Sequence, residues 1–194
     1  MSMDWSIYRE ILEDPNNSAS PANDPEQSSL LESFRGAMRQ LAAGACAVTA
    51  CDGVRRYGLT ATSVISLSME PPALLVSIRA GSRVLAALRE SRHFTVHLLA
   101  VGQQRIANAL AGRLGDDHRS RILSQGAPWT PDRIPGALCH IDCAVSKTVT
   151  AYTHALVVGR VERVDAGTGR APLADHEGRF HAVTPLADTE EEMS

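Results

Sequence analysis

The residues with the clearest chemical potential lie in one stretch, from Tyr57 to Arg83. Hydroxyl side chains recur through its first half, separated by small or aliphatic residues: Thr60, Thr62, Ser63, Ser66 and Ser68. The stretch ends with Ser82 and Arg83, directly before an apolar pattern with helical spacing. A helix N-terminus with a capping serine and a neighbouring arginine can bind a phosphate group. The stretch therefore offers hydroxyls to a polar ligand and a basic clamp to an anion, although such residues also occur in strands and caps that bind nothing.

Two prolines divide this stretch into strand-like halves. Proline has no N–H to donate to a sheet, so Pro71 and Pro72 end the hydroxyl-bearing half. The next residues, Ala73 to Ile78, are uncharged and predict a buried strand. Ser82 is then placed to cap a helix that begins at Arg83.

Other residue groups are weaker candidates for chemistry. His93 and His97 are four residues apart, but the alternating pattern around them predicts a strand, which separates their side chains. Asp116, Asp117 and His118 fit a solvated loop better than a metal site. No pattern ties a serine or cysteine to a base and an acid, and the GxGxxG and GxxxxGK[ST] motifs are absent. We therefore predict no metal site, hydrolase triad, Rossmann motif or P-loop.

The four cysteines show no C-x-x-C spacing. Cys139 and Cys143 alternate in phase with Ile141 and Val145, which places them on the apolar face of a predicted strand. Residues four apart on one strand face are separated by roughly 13 Å, too far to share a metal ion. We expect reduced cysteines that serve as core residues.

Composition indicates one globular domain. The chain has 194 residues, 44% hydrophobic and 21% charged, with a formal net charge of −3 and no block of Lys or Arg. This balance argues against a nucleic-acid or anionic-membrane partner, and no apolar run approaches the ~20 residues of a membrane helix. Acidic residues near the N-terminus disfavour a secretory signal, so we expect a cytoplasmic protein.

We predict a tail and linker over residues 1–27 and one domain over residues 28–194. The tail begins with apolar residues that fit either a docked helix or a mobile segment, and continues into a run rich in Pro, Asn and Ser. Ser29 and Glu32 form a capping-box pattern, and apolar residues then recur at helical spacing up to Leu41, with Gly44 as a stop.

The remaining patterns favour an antiparallel β-barrel with flanking helices. Strands are predicted over 46–50, 138–149 and 154–164, with a turn at Asp52-Gly53 and another at 167–169. Phe94, Val96 and Leu98 alternate with polar residues, which predicts a strand with one wet or ligand-facing side. A helix is expected from Ile106 to about Gly115, followed over 115–136 by a long loop that has room for one helical turn. Few helices separate the strands, which disfavours a parallel βαβ sheet.

The segments GLTATSVISLSMEPPALLVSI and SRVLAALRESRHFTVHLLA resemble the flavin reductase-like family. That family shows a Gly-x-Thr-Ala-Asn-Ser-like stretch, a Ser-x-Ser, an acid before Pro-Pro and a Ser-Arg-Thr-like turn. The resemblance runs from about Phe34 to about Val183. It implies a Greek-key, FMN-binding split β-barrel that forms a homodimer.

The resemblance also implies a flavin site. Residues that match the family's flavin-lining positions are Thr60, Ala61, Thr62, Ser63, Ser66, Leu67 and Ser68. Ser82 and Arg83 match the turn that holds the flavin phosphate. Two positions depart from the family: Thr62 replaces an asparagine, and Val84 replaces a threonine of the phosphate turn.

A nicotinamide site is implied nearer the C-terminus. His154 matches a family histidine near the nicotinamide, and we predict it as the catalytic residue, although Tyr152 stands where the family has a small residue. The segment Gly178-Arg179-Phe180-His181 resembles the family's closing segment beside the pyridine nucleotide. Arg179, Phe180 and His181 are therefore expected to contact NADH or NADPH together with His154.

The resemblance implies hydride transfer from NAD(P)H to FMN or FAD, with reduced flavin supplied to a partner monooxygenase or halogenase. The scarcity of other catalytic-looking residues agrees with this hypothesis, since the cofactor itself carries the redox chemistry. One alternative is a non-catalytic flavin- or haem-binding split barrel, which the Val84 and Tyr152 departures keep open. Another is a pyridoxine-phosphate oxidase-like enzyme, which usually has more basic phosphate contacts than this chain.

Overall fold

The computed structural model describes residues 25–124, 133–167 and 170–186. The predicted features of the tail lie outside these residues, as does most of the predicted 167–169 turn. The helices are α1 (Pro25–Arg39), α2 (Arg83–Ser91), α3 (Gln104–Leu110) and α4 (Asp116–Ser124). The strands are β1 (Ala43–Gly44), β2 (Cys46–Cys51), β3 (Arg56–Ala61), β4 (Val64–Met69), β5 (Pro72–Arg79), β6 (His93–Leu98), β7 (Cys139–Ala151), β8 (His154–Ala166), β9 (Leu173–His176) and β10 (Arg179–Ala182).

Seven strands form one curved antiparallel sheet in the order β3-β2-β6-β7-β8-β5-β4. The remaining strands form a small sheet in the order β1-β9-β10. The mainly-β, antiparallel architecture expected from the sequence is confirmed. The large sheet does not close by hydrogen bonds, because β3 and β4 are its two edges.

The barrel core lies on one face of the large sheet. Its apolar side chains come from strands that are distant in sequence, including Val48, Val76, Phe94, Val96, Cys143 and Val157. Helix α2 contributes Val84, Leu85 and Leu88 to the same core. Strand β5 alternates between buried and half-buried positions rather than being buried throughout, because only one face of an antiparallel sheet meets this core.

Local signals near the strands are confirmed. The Asp52 carboxylate accepts hydrogen bonds from the Val54 and Arg55 N–H groups, which closes the predicted turn between β2 and β3. Strand β4 ends at Met69, directly before Glu70 and the two prolines, and β5 begins at the second proline. These features depend on neighbours in sequence, which explains why the sequence predicts them.

The first helix is present but differs in its limits and surroundings. It begins at Pro25 and ends at Arg39, so Ser29 lies inside it and the helix stops before Gly44. No residue of α1 is buried. Its apolar side chains are exposed instead, with Leu30 at 69%, Phe34 at 59% and Leu41, just beyond the helix, at 61%.

A second apolar cluster lies between the large sheet and the small one. It joins Ala45, Leu99, Leu110, Ile134 and Leu173, with Phe180 packed against it. The predicted helix around Ile106 ends at Leu110 rather than near Gly115. The predicted loop over 115–136 contains a full helix, α4, whose Ile122 and Leu123 pack against this cluster.

All four cysteines are free thiols. Cys46 and Cys143 lie in the barrel core, where burial raises the pKa of their thiols to about 11 and about 12. Cys139 and Cys51 are half-buried. The core prediction is therefore confirmed for Cys143 and wrong for Cys139, which lies at the first position of β7, at the end of the sheet.

Candidate functional site

The predicted phosphate clamp lies at the turn between β5 and α2. The Ser82 hydroxyl accepts a hydrogen bond from the Leu85 N–H at 3.2 Å, which confirms Ser82 as the N-cap. The N–H groups of Arg83 and Val84 belong to the first helical turn, where no intrahelical acceptor is available. The Arg83 side chain is exposed beside them. The turn thus combines free backbone donors, a positive helix end and a guanidinium, which fits a phosphate group.

Val84 stands where the family has a threonine in the phosphate turn, and its burial explains why a hydroxyl can be absent at this position. Its side chain is only 5% exposed and packs into the barrel core. A residue at this position points away from the outside of the turn, so its contribution to a phosphate site would come from its backbone N–H.

The predicted flavin-lining residues run from the end of β3 along the edge strand β4. Thr62, Ser63, Ser66 and Leu67 are exposed, and Ser68 is half-buried. The Ser63 hydroxyl donates to the Ser77 carbonyl of β5 at 3.0 Å, and the Ser68 hydroxyl accepts from the Glu70 N–H at 3.2 Å. This strip is an open surface of hydroxyls and aliphatic groups, which fits a flat polar ring system.

Two members of the predicted set face inward. The Thr60 hydroxyl donates to the Ala107 carbonyl of α3 at 2.6 Å, so its proton is engaged within the protein. Ala61 is only 6% exposed and belongs to the barrel core. Their place in the site would therefore be to shape the backbone at the end of β3.

Strand pairing brings His154 next to the phosphate turn. His154 pairs with Arg79 at the end of β5, and the Ala80 N–H donates to the Thr153 carbonyl at 2.9 Å. The His154 ring is exposed, with Nδ1 within 2.9 Å of the Thr153 hydroxyl. Tyr152 lies at the tip of this hairpin, with φ of 51° and a side chain that is 69% exposed. The tyrosine therefore points outward and does not fill the core.

The closing segment lies in a different sheet from His154. Arg179, Phe180 and His181 belong to β10, which pairs only with β9. Phe180 is half-buried on the second apolar cluster, while Arg179 and His181 are exposed. Strand pairing within one chain thus brings Ser63, the phosphate turn and His154 to one end of β5, while Ser66 and Ser68 lie farther along β4 and Arg179–His181 lie on a separate sheet.

The polar side of β6 is buried, contrary to the expectation of a wet or ligand-facing side. His97 is fully buried, with Nε2 2.9 Å from the Thr49 hydroxyl and Nδ1 2.8 Å from Nδ1 of His140. Thr95 donates to the Asp142 carboxylate at 2.8 Å. Polar residues of β2, β6 and β7 meet here because the outer face of the sheet is covered by the chain around Ile134 and by α3 and α4.

Electrostatics in this buried polar cluster favour neutral histidines and a charged aspartate. Burial is the main cause that lowers the pKa of His97, to about 3, and nearby His140 and Arg133 lower it further. Burial and Arg133 also lower the pKa of His140. Arg133 donates two hydrogen bonds to Asp142, at 2.8 and 2.9 Å, and this pairing lowers the pKa of the Asp142 carboxyl. In the sequence, this cluster is indicated by polar residues at alternate positions of two strands, Thr95 and His97 on β6 and His140 and Asp142 on β7.

The candidate metal ligands remain apart. Across residues 25–124, 133–167 and 170–186, no three His, Cys, Asp or Glu side chains are grouped so as to hold a metal ion. His93 lies 3.6 Å from the Glu162 carboxylate, and His118 contacts the Leu114 carbonyl. Within the same residues, no helix has the length and apolarity needed to cross a membrane.

The chain is similar in sequence to known flavin reductases. The family described as "Flavin reductase like domain" matches residues 38–184. An NADH:FMN oxidoreductase from Rhodococcus qingshengii is 33% identical over 161 residues, which cover 79% of this chain and 82% of the relative. The reductase component of a 4-nitrophenol 4-monooxygenase/4-nitrocatechol 2-monooxygenase from Rhodococcus opacus is 34% identical over 178 residues, covering 90% of both chains.

Solved structures agree with this likeness. The flavin reductase component of a bacterial two-component tryptophan halogenase superimposes with a TM-score of 0.71 at 28% identity, covering 80% of this chain and 99% of that one. A Streptomyces globisporus NADH:FAD oxidoreductase, solved with NAD and FAD fragments, gives a TM-score of 0.72 at 25% identity, with coverage of 87% and 100%.

Proposed function

The chain belongs to the flavin reductase-like family, and on this basis we propose that it is an NAD(P)H:flavin oxidoreductase. The observation that carries the proposal is that Ser63, at the start of the hydroxyl strip, bonds to Ser77 near the end of β5, where β5 leads into the phosphate turn and pairs with His154. These elements are separated in sequence, and antiparallel pairing of β4, β5 and β8 brings them together. One relative named above is an NADH:FMN oxidoreductase, so this pair is the first to test, with FAD and NADPH for comparison.

The flavin supplies the redox chemistry when bound, since it accepts the hydride that a reduced nicotinamide releases. The protein's residues bind and orient. Ser82, Arg83 and the first N–H groups of α2 would hold the flavin phosphate. Thr62, Ser63 and Ser66 would provide hydrogen bonds along an exposed edge, with Leu67 as an apolar contact. His154 would position the nicotinamide beside this strip, and its effect on rate would come from orientation.

Arg179, Phe180 and His181 complete the proposed nicotinamide contacts. Their separate sheet is consistent with a site that two copies of the chain build together. A homodimer is part of the proposal, supported by the exposed apolar side chains of α1 and of β4, where Ile65 is 57% and Met69 80% exposed. The hydroxyl strip is exposed on one chain, and in the proposed homodimer a second copy would cover it.

Reduced flavin would leave for a partner oxygenase. The support is that one relative is a monooxygenase reductase component and one structural neighbour belongs to a two-component halogenase. The location proposed for this exchange is the cytoplasm, in keeping with four free thiols.

A spectrophotometric assay tests the activity directly. NADH absorbance is followed with purified protein and increasing FMN, then with FAD, and each series is repeated with NADPH. We expect NADH oxidation to depend on flavin and to saturate in both substrates. Flavin that binds but is not reduced above the rate without protein would leave the non-catalytic binding module as the function.

A further inference from the structure

A polar cavity lies at the opposite end of the β7–β8 hairpin from His154. It has a volume of about 420 Å³ and is bordered by Arg133, His140, Asp165 and Arg170, with Gly136 and Gly167 among the other lining residues. It opens where Cys139 of β7 pairs with Ala166 of β8, whereas His154 lies at the opposite end of the same hairpin. The two ends are 12 residues apart along β8, or roughly 40 Å of extended strand. A volume of this size suits a small molecule.

His140 offers a hydrogen-bonding nitrogen at the cavity. Its Nδ1 is paired with Nδ1 of His97, and among the described residues no partner contacts its Nε2. If the Thr49 hydroxyl donates to Nε2 of His97, then Nδ1–H of His97 donates to Nδ1 of His140. In that arrangement the proton of neutral His140 is on Nε2, and the ring is a donor toward the cavity. The buried chain of three side chains therefore fixes His140 in position and permits it to donate.

The two arginines at the cavity differ in how their charges are matched. Arg133 is held by Asp142 at 2.8 Å and by Asp165 at 3.3 Å, and Asp165 also pairs with Arg163 at 3.7 Å, so these two arginines and two aspartates balance in charge. Arg170 has no acidic partner in the described part of the chain, and its Nη1 lies 3.2 Å from where a Cβ of Gly136 would be. Among the residues that the structure describes, the charge at this cavity that is left for a ligand is therefore the positive charge of Arg170.

We propose that this cavity binds the oxyanion group of a small molecule, a carboxylate or a phosphate, between Arg170 and Nε2–H of His140. The guanidinium supplies a charge-assisted contact and the imidazole a directional one. Gly136 has φ of +80° and leaves room for the Arg170 side chain, which a larger residue would displace. None of the residues that line this cavity is among the flavin and nicotinamide contacts proposed above.

The test follows the His140 ring directly by NMR. Protein with ¹⁵N-labelled histidine is titrated with sodium benzoate and, separately, with inorganic phosphate, and His140→Gln assigns the signal. We expect a saturable shift of the His140 Nε2 signal, in the direction of a protonated donor, with at least one of the two anions. The anion that causes it identifies whether the ligand chemistry is a carboxylate or a phosphate.

Two arginine variants decide whether the cavity is responsible. Arg170→Gln should weaken the binding of the anion that shifts the His140 signal about tenfold or more, since the substitution removes a charge-assisted contact. Arg160→Gln removes an exposed arginine of β8 outside the cavity and should leave the affinity unchanged. The proposal is overturned if neither anion shifts His140 at millimolar concentrations, or if Arg170→Gln and the wild type respond equally. The NMR signal of the His140 ring does not depend on flavin reduction, so this test gives its result whether or not the protein reduces flavin.

Discussion

Arg83 has a role that is testable at the scale of a single residue. It follows the Ser82 cap, is exposed, and lies beside the unpaired N–H groups of the first turn of α2. The proposed contact is with phosphate, so its removal should matter only for ligands that carry one.

We expect Arg83→Ala to weaken the binding of FMN by about 1.5 kcal/mol or more, which is roughly tenfold in Kd. The binding of riboflavin should weaken by much less. Fluorescence titration of the two flavins measures both affinities. Arg89→Ala, on the last turn of the same helix, is the matched control and should change neither. Equal losses for FMN and riboflavin would show that Arg83 does not contact the phosphate.

His154 is the residue on which the nicotinamide proposal depends. Its ring is exposed at the start of β8, so substitution should not disturb the core. His154→Ala should lower kcat, raise the KM for NADH, or both, at saturating flavin, while flavin affinity and unfolding midpoint stay near wild type. Steady-state kinetics measure the effect, and His93→Ala, another exposed histidine, serves as control. A collapse of flavin binding would instead assign His154 to the flavin site.

His97 makes stability depend on pH. Its folded pKa of about 3 is below the ordinary 6.5, so the unfolded chain takes up a proton that the folded chain excludes. The stabilisation is therefore complete above pH 6.5 and is lost as pH falls toward 3, by at most about 1.4 kcal/mol per pH unit for this one proton. The lowered pKa of His140 acts in the same direction.

Denaturant unfolding between pH 6.5 and 3.8 tests this, because the stabilising effect of Asp142 is lost mainly below its ordinary pKa of 3.8. His97→Gln cannot titrate and should show a shallower decline of unfolding free energy over this range. An identical slope in both proteins would mean that His97 accepts its proton in the folded state.

At the scale of elements, the packing of β7 and β8 leaves no room at Gly159. A Cβ there would overlap the ring of Phe94 and lie 2.9 Å from Cβ of Cys143. The strands of an antiparallel sheet can bury an aromatic ring this closely only where the facing residue has no side chain.

Gly159→Ala should therefore destabilise the protein by about 1–3 kcal/mol. Gly36→Ala makes the same chemical change in helix α1, where the added Cβ meets no atom within 4 Å. That variant should gain about 0.5–1 kcal/mol from helix propensity. Urea unfolding midpoints of the two variants should move in opposite directions, and a shift of both in one direction would contradict this description of the packing.

At the scale of the whole molecule, the described residues of one chain do not cover the apolar side chains of helix α1. Leu30, Phe34 and Leu41 recur at helical spacing and are all more than half exposed. An amphipathic helix normally places such a face against a core. A second copy of the chain is the partner that we propose for it.

Phe34→Asp should then shift the protein from a dimer toward a monomer, since a charge would be buried in an apolar interface. Light scattering coupled to size exclusion measures the mass. Ser29→Asp adds the same charge elsewhere on the helix and should leave the dimer intact. A monomeric mass for the wild-type protein with flavin bound would rule out this arrangement.

The sequence by itself determined the local elements and the family. The Ser82 cap bonds three residues along the chain, and the Asp52 turn closes within four, so their signals are contained in short segments. Strand limits followed from alternation and from Pro71-Pro72. The Thr60–Ser68 stretch and the Ser-Arg turn carried the family resemblance, which the family match to residues 38–184 confirms.

Only the tertiary structure decided what each face of a strand or helix contacts. Alternation placed Thr95 and His97 together on one side of β6, but that side proved to be buried because His140, 43 residues away, lies against it. The same limit applies to α1, whose apolar spacing is clear although the described residues leave its apolar side chains exposed. Periodicity reports which residues share a face, and contacts between distant segments, set by strand order and loop path, determine whether that face meets water, a core or another molecule.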